Sequence, residues 1–152
     1  MKREFGTWMT RMLRGGARLS GAEHFLLCAL VERLDPEIRP AVESHFEQYN
    51  LVQREIDGRA LNFYRVERGS RSPVEVSDPL EMTSESSPLI KISVAAPGDN
   101  NPLHAVLTAV GGRAFQVTFD RVPPRPKFPS NVSVTSSTQS WRSAIRAHPR
   151  VA

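Results

Sequence analysis

Histidine, cysteine and serine are the residues of this 152-residue chain whose chemistry suits catalysis or metal binding. The four histidines are scattered along the chain, and none has a second histidine one helical turn away, as a helical zinc site requires. His45 falls on the apolar face of a predicted helix, and His104 falls on the predicted core face of a strand. We therefore expect both to be hydrogen-bonded core residues, and we predict no metal site and no cofactor.

The other candidate nucleophiles also lack a supporting motif. Cys28 lies within the apolar stripe of a predicted helix, where a buried thiol is inert. No serine stands in a G-x-S-x-G elbow, and neither Gly15-Gly16 nor Gly111-Gly112 has the context of a phosphate-binding loop. We predict no catalytic residue, and a small hydrolase that uses His45 or His104 is the alternative.

Three residues are candidate contacts for a protein partner: Arg54, Tyr64 and Trp141. Arg54 stands in the middle of a strand face that is otherwise apolar, so its charge needs an ion-pair partner such as Glu47 or Glu55, or it anchors an interface. Tyr64 lies at the end of the opposite face of the same predicted hairpin. Trp141 and Ile145 are four residues apart and could form one helical turn against the domain or a partner.

Two helices are predicted at the start of the folded region. Residues 22–34 carry apolar side chains at helical spacing, and Ser20 and Glu23 have the spacing of a capping box. Asp35-Pro36 ends this helix and begins a second one, in which Pro40 must lie in the first turn. The apolar stripe of the second helix consists of Ile38, Ala41, Val42, His45, Phe46 and Tyr49.

The period then changes from helical to alternating, which predicts strands. Residues 51–56 and 59–66 flank Asp57-Gly58, a two-residue hairpin turn. Its register places four apolar side chains on one face: Val52, Ile56, Leu61 and Phe63. Residues 89–96 form the next strand, with Ile90, Ile92 and Val94 on one face.

Residues 103–110 and 113–119 flank Gly111-Gly112, which predicts a second hairpin. We expect its core face to carry Val106, Val110, Phe115, Val117 and Phe119. Asn101, Pro102 and Gly111 would also frame a short helix over residues 103–110. The alternating β-branched residues favour the strand.

These elements predict a single α+β domain over residues 21–120, with two N-terminal helices packed on one face of a four- to five-stranded antiparallel sheet. Residues 1–20 form a basic N-terminal segment, and residues 67–88 form a long Ser/Pro/Glu-rich loop. Residues 121–152 form a Pro/Ser/Arg-rich low-complexity tail. We expect both tails to be flexible.

The net charge of +4 is unevenly distributed along the chain. Residues 1–20 have five basic residues and one acid, residues 21–120 have nine basic residues and fifteen acids, and residues 121–152 have six basic residues and no acid. The predicted domain therefore has a net charge of −6, and a chain of residues 21–120 should migrate as an anion near neutral pH. We expect at most weak, non-specific binding of nucleic acid through the basic tails.

The remaining sequence features indicate where in the cell the protein acts and which class of function it has. No apolar run reaches the roughly 18 residues of a membrane span, and the single cysteine suits a reducing compartment, so we expect a cytoplasmic protein without a membrane contact. The sequence predicts helices followed by an antiparallel sheet and contains no recognisable group of catalytic residues. This combination favours a small non-catalytic protein-binding or regulatory module. Bacterial immunity proteins, which inhibit toxins, are an example of such modules, and the analogy with this chain extends only to the class of function.

Overall fold

The computed structural model describes residues 19–67, 73–124, 127–137 and 145–146, and it confirms the predicted α+β class with two N-terminal helices and an antiparallel sheet. The helices are α1 (Gly21–Glu32) and α2 (Arg39–Gln48). The strands are β1 (Leu51–Arg54), β2 (Ala60–Val66), β3 (Pro73–Val74), β4 (Glu81–Met82), β5 (Ser86–Ala95), β6 (Leu103–Val110), β7 (Arg113–Phe119), β8 (Ser133–Ser137) and β9 (Ile145–Arg146).

The strand order of the main sheet is β1-β2-β7-β6-β5-β8, and all neighbours are antiparallel. β3 pairs with the end of β2 outside this path, and β4 pairs with β9 in a separate two-stranded sheet. Residues 103–110 are thus a strand, as predicted, and not a helix.

One strand of the sheet comes from a segment that the sequence assigns to a flexible low-complexity tail. β8 pairs with β5 over five residues, so the sheet path has six strands and not four or five, and the tail interpretation is wrong at this strand. Its two valines, Val132 just before it and Val134 within it, are half-buried against the core. An edge strand of this kind needs few apolar side chains, which is why the alternation signal is weak. The predicted 67–88 loop likewise contains β3, β4 and the start of β5.

A capping box marks the beginning of α1, and a side-chain hydrogen bond shapes the turn before α2. The Ser20 hydroxyl accepts a hydrogen bond from the Glu23 N–H at 3.1 Å, and the Glu23 carboxylate accepts one from the Ser20 N–H at 2.8 Å, which confirms the predicted capping box. Before α2, the Asp35 carboxylate accepts a hydrogen bond from the Glu37 N–H at 3.0 Å. Pro40 occupies the first turn of α2, where its missing N–H breaks no hydrogen bond.

The core lies between the helix pair and one face of the sheet. Its aromatic centre is formed by Phe46 and Tyr49 of α2 with Phe63 of β2, whose ring centroids lie 5.1 Å (Phe46–Phe63) and 6.0 Å (Tyr49–Phe63) apart. The predicted apolar stripe of α2 is buried here, apart from the half-buried Ala41. Burying side chains of this size is the main stabilising contribution to a domain of this kind.

The first hairpin has the predicted register but an unexpected turn. Arg54 lies opposite Leu61 and Val52 opposite Phe63, as the sequence indicates. However, β1 ends at Arg54, and the Gly58 N–H donates to the carbonyl of Glu55 at 2.9 Å within a longer turn. Ile56 therefore lies in the turn and is fully exposed, so its predicted place on the packed face is wrong.

A β-bulge in the second hairpin reverses the predicted faces of β6. Gly111 and Gly112 both have positive φ, as the predicted two-residue turn requires, and Val110 lies opposite Arg113. Between Ala114 and Gln116 the register shifts by one residue, because Phe115 has no partner on β6. Leu103, Ala105, Leu107 and Ala109 consequently face the core, and the prediction for Val106, Val110 and Phe115 is wrong.

Candidate functional site

His45 is fully buried and uses both ring nitrogens to hold backbone groups. Its Nδ1 accepts a hydrogen bond from the N–H of Ala114 at 3.1 Å, and its Nε2 donates one to the carbonyl of Asp78 at 2.7 Å. One turn later on α2, Tyr49 donates its hydroxyl hydrogen to the carbonyl of Ala114. The two side chains thereby satisfy the backbone of Ala114 beside the bulge, and neither nitrogen of His45 can bind a metal or a substrate.

The electrostatic setting of these two side chains keeps both of them neutral. Burial lowers the pKa of His45, and although the hydrogen bond to the carbonyl of Asp78 raises it in part, the positive charge of Arg113 lowers it again. Burial raises the pKa of Tyr49 well above its ordinary value. His45 is therefore the hydrogen-bonded core residue that the sequence predicts.

The bulge shifts the register between β6 and β7 by one residue. The side chain of His104 therefore lies on the side of the sheet that faces away from the helices. We call this side the open face. The Nδ1 of His104 is 2.7 Å from the Oγ of Ser93, directly opposite on β5. Asp120 is close, but its carboxylate accepts a hydrogen bond from the backbone N–H of His104 at 2.9 Å and does not contact the ring. The predicted core position of His104 is wrong. Among the described residues, no carboxylate contacts the ring of His104, as one would have to in order to orient the base of a catalytic triad.

Cys28 and His24 form a second pair of chemically versatile side chains, one turn apart on α1. The Sγ of Cys28 lies 3.9 Å from the Nδ1 of His24. Burial raises the pKa of the Cys28 thiol to about 11, helped by the negative charge of Glu32, so the thiol is protonated near neutral pH and is a poor nucleophile. Within the described ranges, no group of three or more His, Cys, Asp or Glu side chains is arranged to hold a metal ion.

Arg54 pairs with Glu23, and not with the predicted Glu47 or Glu55. Its Nε donates to one carboxylate oxygen of Glu23 at 2.8 Å, and its Nη2 donates to the other. Burial by itself raises the pKa of Glu23, but the hydrogen bonds from Arg54 and from the backbone of Ser20 outweigh it, and the pKa lies below its ordinary value. The ion pair fixes the N-terminus of α1 to edge strand β1. A role of Arg54 at a protein interface stays a prediction.

Tyr64 belongs to an aromatic and basic cluster on the open face. Its ring meets that of Phe115 in an edge-to-face arrangement, with centroids 5.3 Å apart and an angle of 77° between the planes. The guanidinium of Arg113 lies 4.7 Å from the centroid of the Phe115 ring. Sequence reasoning missed Phe115 and Arg113, because only the bulge brings Phe115 to this face. All three side chains are partly exposed.

The charge of the open face differs from that of the surrounding domain. Residues 21–137 contain fifteen acids, yet none of the six strands along the path of the main sheet contains an Asp or a Glu. These strands contain four basic residues, and two of them contact acids. Arg54 pairs with Glu23, and the Nη2 of Arg65 lies 3.9 Å from the Oε1 of Glu67. Lys91 and Arg113 lie on the open face, among half-exposed side chains that are polar or apolar but not acidic: Asn62, Tyr64, Ser93, His104, Val106, Thr108, Val110, Phe115, Gln116 and Thr118.

A smaller apolar feature lies at the tip of the first hairpin. Ile56 is fully exposed there, and Val122, which is 49% exposed, lies beside Gly58 of the same turn. Single exposed apolar side chains are common on protein surfaces, so this pair does not by itself indicate a binding site.

Neither the remaining candidate contact residue nor the comparisons with known proteins assign a function to this chain. Trp141 lies outside the described residues, so its predicted role at a protein interface stays a prediction. Ile145, which is predicted to share a helical turn with it, lies in strand β9. No helix in the described part of the chain is long and apolar enough to cross a membrane. Comparisons of the chain with protein-family models, with curated proteins and with solved structures find no match.

Proposed function

We propose that this chain is a non-catalytic protein-binding or regulatory module that holds its partner on the open face of the sheet. The observation that carries the proposal is the absence of acids from the six strands of a folded unit, residues 21–137, that has fifteen acids, twelve basic residues and a net charge of −3. Lys91 and Arg113 are the charged groups that the strands supply to this face, and the carboxylate of Glu55, which accepts a hydrogen bond from Asn62 at 3.4 Å, lies at its margin. Around the two basic residues, this face suits a neutral or acidic protein surface. We expect the protein to act in the cytoplasm, because its single cysteine suits a reducing compartment.

The cluster of Tyr64, Phe115 and Arg113 supplies the anchor for such a contact. Aromatic side chains and arginine are enriched among the residues that dominate the free energy of protein interfaces. Arg113 already covers one side of the Phe115 ring, and Tyr64 meets that ring at a steep angle. This leaves little flat aromatic surface for stacking a nucleic-acid base, which favours a protein partner at this face.

The test is capture of a partner from a native lysate of the source organism with immobilised wild-type protein and two variants. The double variant Tyr64→Ala/Lys91→Glu disrupts the open face, and Arg33→Glu makes the same charge change on the helix layer. We expect wild type and Arg33→Glu to retain one stoichiometric protein at moderate salt, and the double variant to lose it. Equal capture by all three proteins would place the contact elsewhere. Capture of nucleic acid that is released by salt would contradict a protein partner.

A hydrolase is the second candidate, and the 2.7 Å contact between Ser93 and His104 is the observation that favours it. A fluorophosphonate probe labels a serine that an adjacent base activates. We expect no labelling of the wild-type chain, because no carboxylate in the described part of the chain orients the imidazole of His104. Labelling of Ser93 that is lost in His104→Gln would establish an activated serine and contradict the non-catalytic proposal.

A further inference from the structure

A groove lies at the end of the sheet where β2 and β7 separate. The pairing of these two strands ends at Asn62 opposite Gln116, and beyond that point β2 pairs with β3. The groove lies between the segment that follows β3 and the Gly111-Gly112 turn, and its volume is about 410 Å³. A volume of this size suits a small ligand or a few side chains of a partner. Four apolar residues line it: Val74, Val76, Pro79 and Val110.

Hydrogen bonds hold both sides of this groove in place. The side-chain oxygen of Gln48 accepts a hydrogen bond from the N–H of Ser77 at 2.7 Å, and the next carbonyl along the chain accepts the hydrogen bond from His45. On the other side, the N–H of Leu80 donates to the carbonyl of Gly112 at 2.6 Å. The groove is therefore preformed, and an occupant does not have to order these segments before it binds.

Arg113 lines the groove and has hydrogen-bond donors to spare. Its guanidinium lies over the ring of Phe115, and its side chain is half-exposed. In the part of the chain that the structure describes, this side chain has no ion pair and no hydrogen bond. The N–H donors of a guanidinium lie at its edges, so stacking on a ring leaves them available, and their fork matches the two oxygens of a carboxylate. A carboxylate is thus the group that Arg113 is best suited to bind.

Glu75 is the second charged residue of the groove lining, and it limits how much negative charge an occupant can carry. Its side chain is exposed and does not pair with Arg113. Water and salt screen an exposed charge, so Glu75 weakens the attraction of an anion to Arg113 without cancelling it. Several acids on one occupant would meet its repulsion. A single carboxylate next to an aliphatic chain is the chemistry that fits this lining.

We propose that the partner on the open face places an aliphatic side chain in this groove and an adjacent carboxylate on Arg113. The inference rests on the proposed function, because Val110 and Arg113 belong both to the groove and to the open face. A single partner surface covers the groove and the Tyr64–Phe115 cluster together, since Arg113 contacts the Phe115 ring and also lines the groove. The occupant is a segment of the partner protein in which one acidic residue lies beside an aliphatic one.

Titration of the full chain with 4-methylpentanoate, followed by NMR, tests the ligand chemistry, because this probe joins one carboxylate to a leucine-like chain. We expect saturable shifts of the amide signals of residues 74–76 and 110–113. The uncharged 4-methylpentanamide has the same shape and should bind about tenfold more weakly. Acetate, which lacks the aliphatic chain, should shift these signals less at the same concentration. Equal affinity for the acid and the amide, or shifts centred on Lys91, would overturn the proposal.

Two variants with the same change of charge assign the carboxylate contact. Arg113→Gln should lower the affinity for 4-methylpentanoate about tenfold, to that of the amide. Arg33→Gln removes a positive charge from the helix layer and should bind the probe like wild type. Unchanged affinity of Arg113→Gln would contradict the assignment. The comparison of acid and amide on the wild-type chain needs no variant, so it decides the question even where Arg113→Gln folds poorly.

Competition in the partner-capture experiment distinguishes a protein segment from a free small acid. Saturating 4-methylpentanoate should reduce capture of the stoichiometric protein, and the amide at the same concentration should reduce it less. A probe that binds the groove but leaves capture unchanged would show that the groove takes a free acid, so that this inference is wrong while the proposed function stands. A wild-type chain that captures no protein would refute the proposed function, and this inference with it, whether or not the probe binds.

Discussion

His45 and Glu23 are buried polar side chains that join parts of the chain far apart in sequence. His45 connects α2 to Ala114, which is 69 residues away, and Glu23 connects α1 to Arg54, which is 31 residues away. A buried polar group stabilises a fold only while its hydrogen bonds are made, because an unpaired group keeps its full cost of desolvation. Substitutions of these residues or of their partners should therefore lower stability without touching the open face.

His45→Leu should lower the free energy of unfolding by about 2–3 kcal/mol, because it leaves the N–H of Ala114 and the carbonyl of Asp78 without their partner. The pH dependence should change as well. Burial lowers the pKa of His45 in the folded state, so the unfolded chain binds the proton first as the pH falls below about 6.5, and stability is lost there. Urea denaturation between about pH 7.5 and pH 5 measures both effects.

The matched control for this experiment is His24→Gln on the exposed side of α1. The pKa of His24 is also lowered by burial, but its ring holds no backbone group in the core. We expect a small loss of stability near neutral pH, because no core hydrogen bond is broken, and a pH dependence that becomes less steep because the pKa of His24 is lowered as well. A His45→Leu protein that loses stability with falling pH as steeply as wild type would show that His45 is not the group that titrates.

Arg54→Met should lower the free energy of unfolding by about 2–3 kcal/mol near neutral pH, because it leaves the carboxylate of Glu23 buried without its ion-pair partner. The pKa of Glu23 is lowered in the folded state, so the stabilising contribution is fully present above the ordinary pKa and is lost as the pH falls from there through the lowered pKa of the folded state. The double variant Glu23→Gln/Arg54→Met should recover part of the loss. Thermal unfolding of the two variants checks this, and no recovery would contradict the pairing.

Among the elements of the sheet, the second hairpin depends most on a single residue. The bulge at Phe115 determines which of its side chains face the core and which lie on the open face. The turn at Gly111-Gly112 and the first two residue pairs follow the register that the sequence predicts. The unpaired Phe115 then shifts the register by one residue. As a result, His104 and Val106 lie on the open face and not on the predicted core face. The alternation pattern of β6 alone cannot distinguish these outcomes, because both of its faces carry apolar or small residues.

The two glycines of this turn allow a matched pair of substitutions. Gly111→Ala should cost about 1 kcal/mol, because Gly111 has positive φ but a Cβ there meets nothing within 4 Å. Gly112→Ala should cost about 2–4 kcal/mol, since Gly112 also has positive φ and a Cβ would lie 2.8 Å from the carbonyl oxygen of Leu80. Urea denaturation of the two variants measures the difference. Equal losses would show that residues near Leu80 move away easily.

At the scale of the whole molecule, the sheet is completed by a segment that follows the predicted domain. β8 covers the edge of β5, a ten-residue strand whose buried residues include Ile90, Ile92 and Val94. Phe128 from the same segment covers Phe25 of α1. The folded unit therefore extends at least to Ser137, beyond the end at residue 120 that the sequence indicates.

Removal of this segment should expose the edge of β5 and promote aggregation. We expect a chain that ends at Asp120 to aggregate on mild heating and to lose cooperative unfolding, whereas a chain that ends at Ser137 should behave like the full-length protein. Light scattering during a thermal ramp measures the difference. Identical behaviour of the two truncated chains would mean that β8 contributes nothing to the stability of the sheet.

Local spacing along the chain was sufficient to predict the features that depend on neighbouring residues. The capping box of α1, the apolar stripe of α2, the register of the first hairpin and the Gly111-Gly112 turn all follow from local spacing and local backbone preferences. Three features became known only from the folded chain: the pairing of Arg54 with Glu23, the position of His104 on the open face, and the completion of the sheet by residues 133–137. These features depend on contacts between residues far apart in the chain, and no local period carries that information.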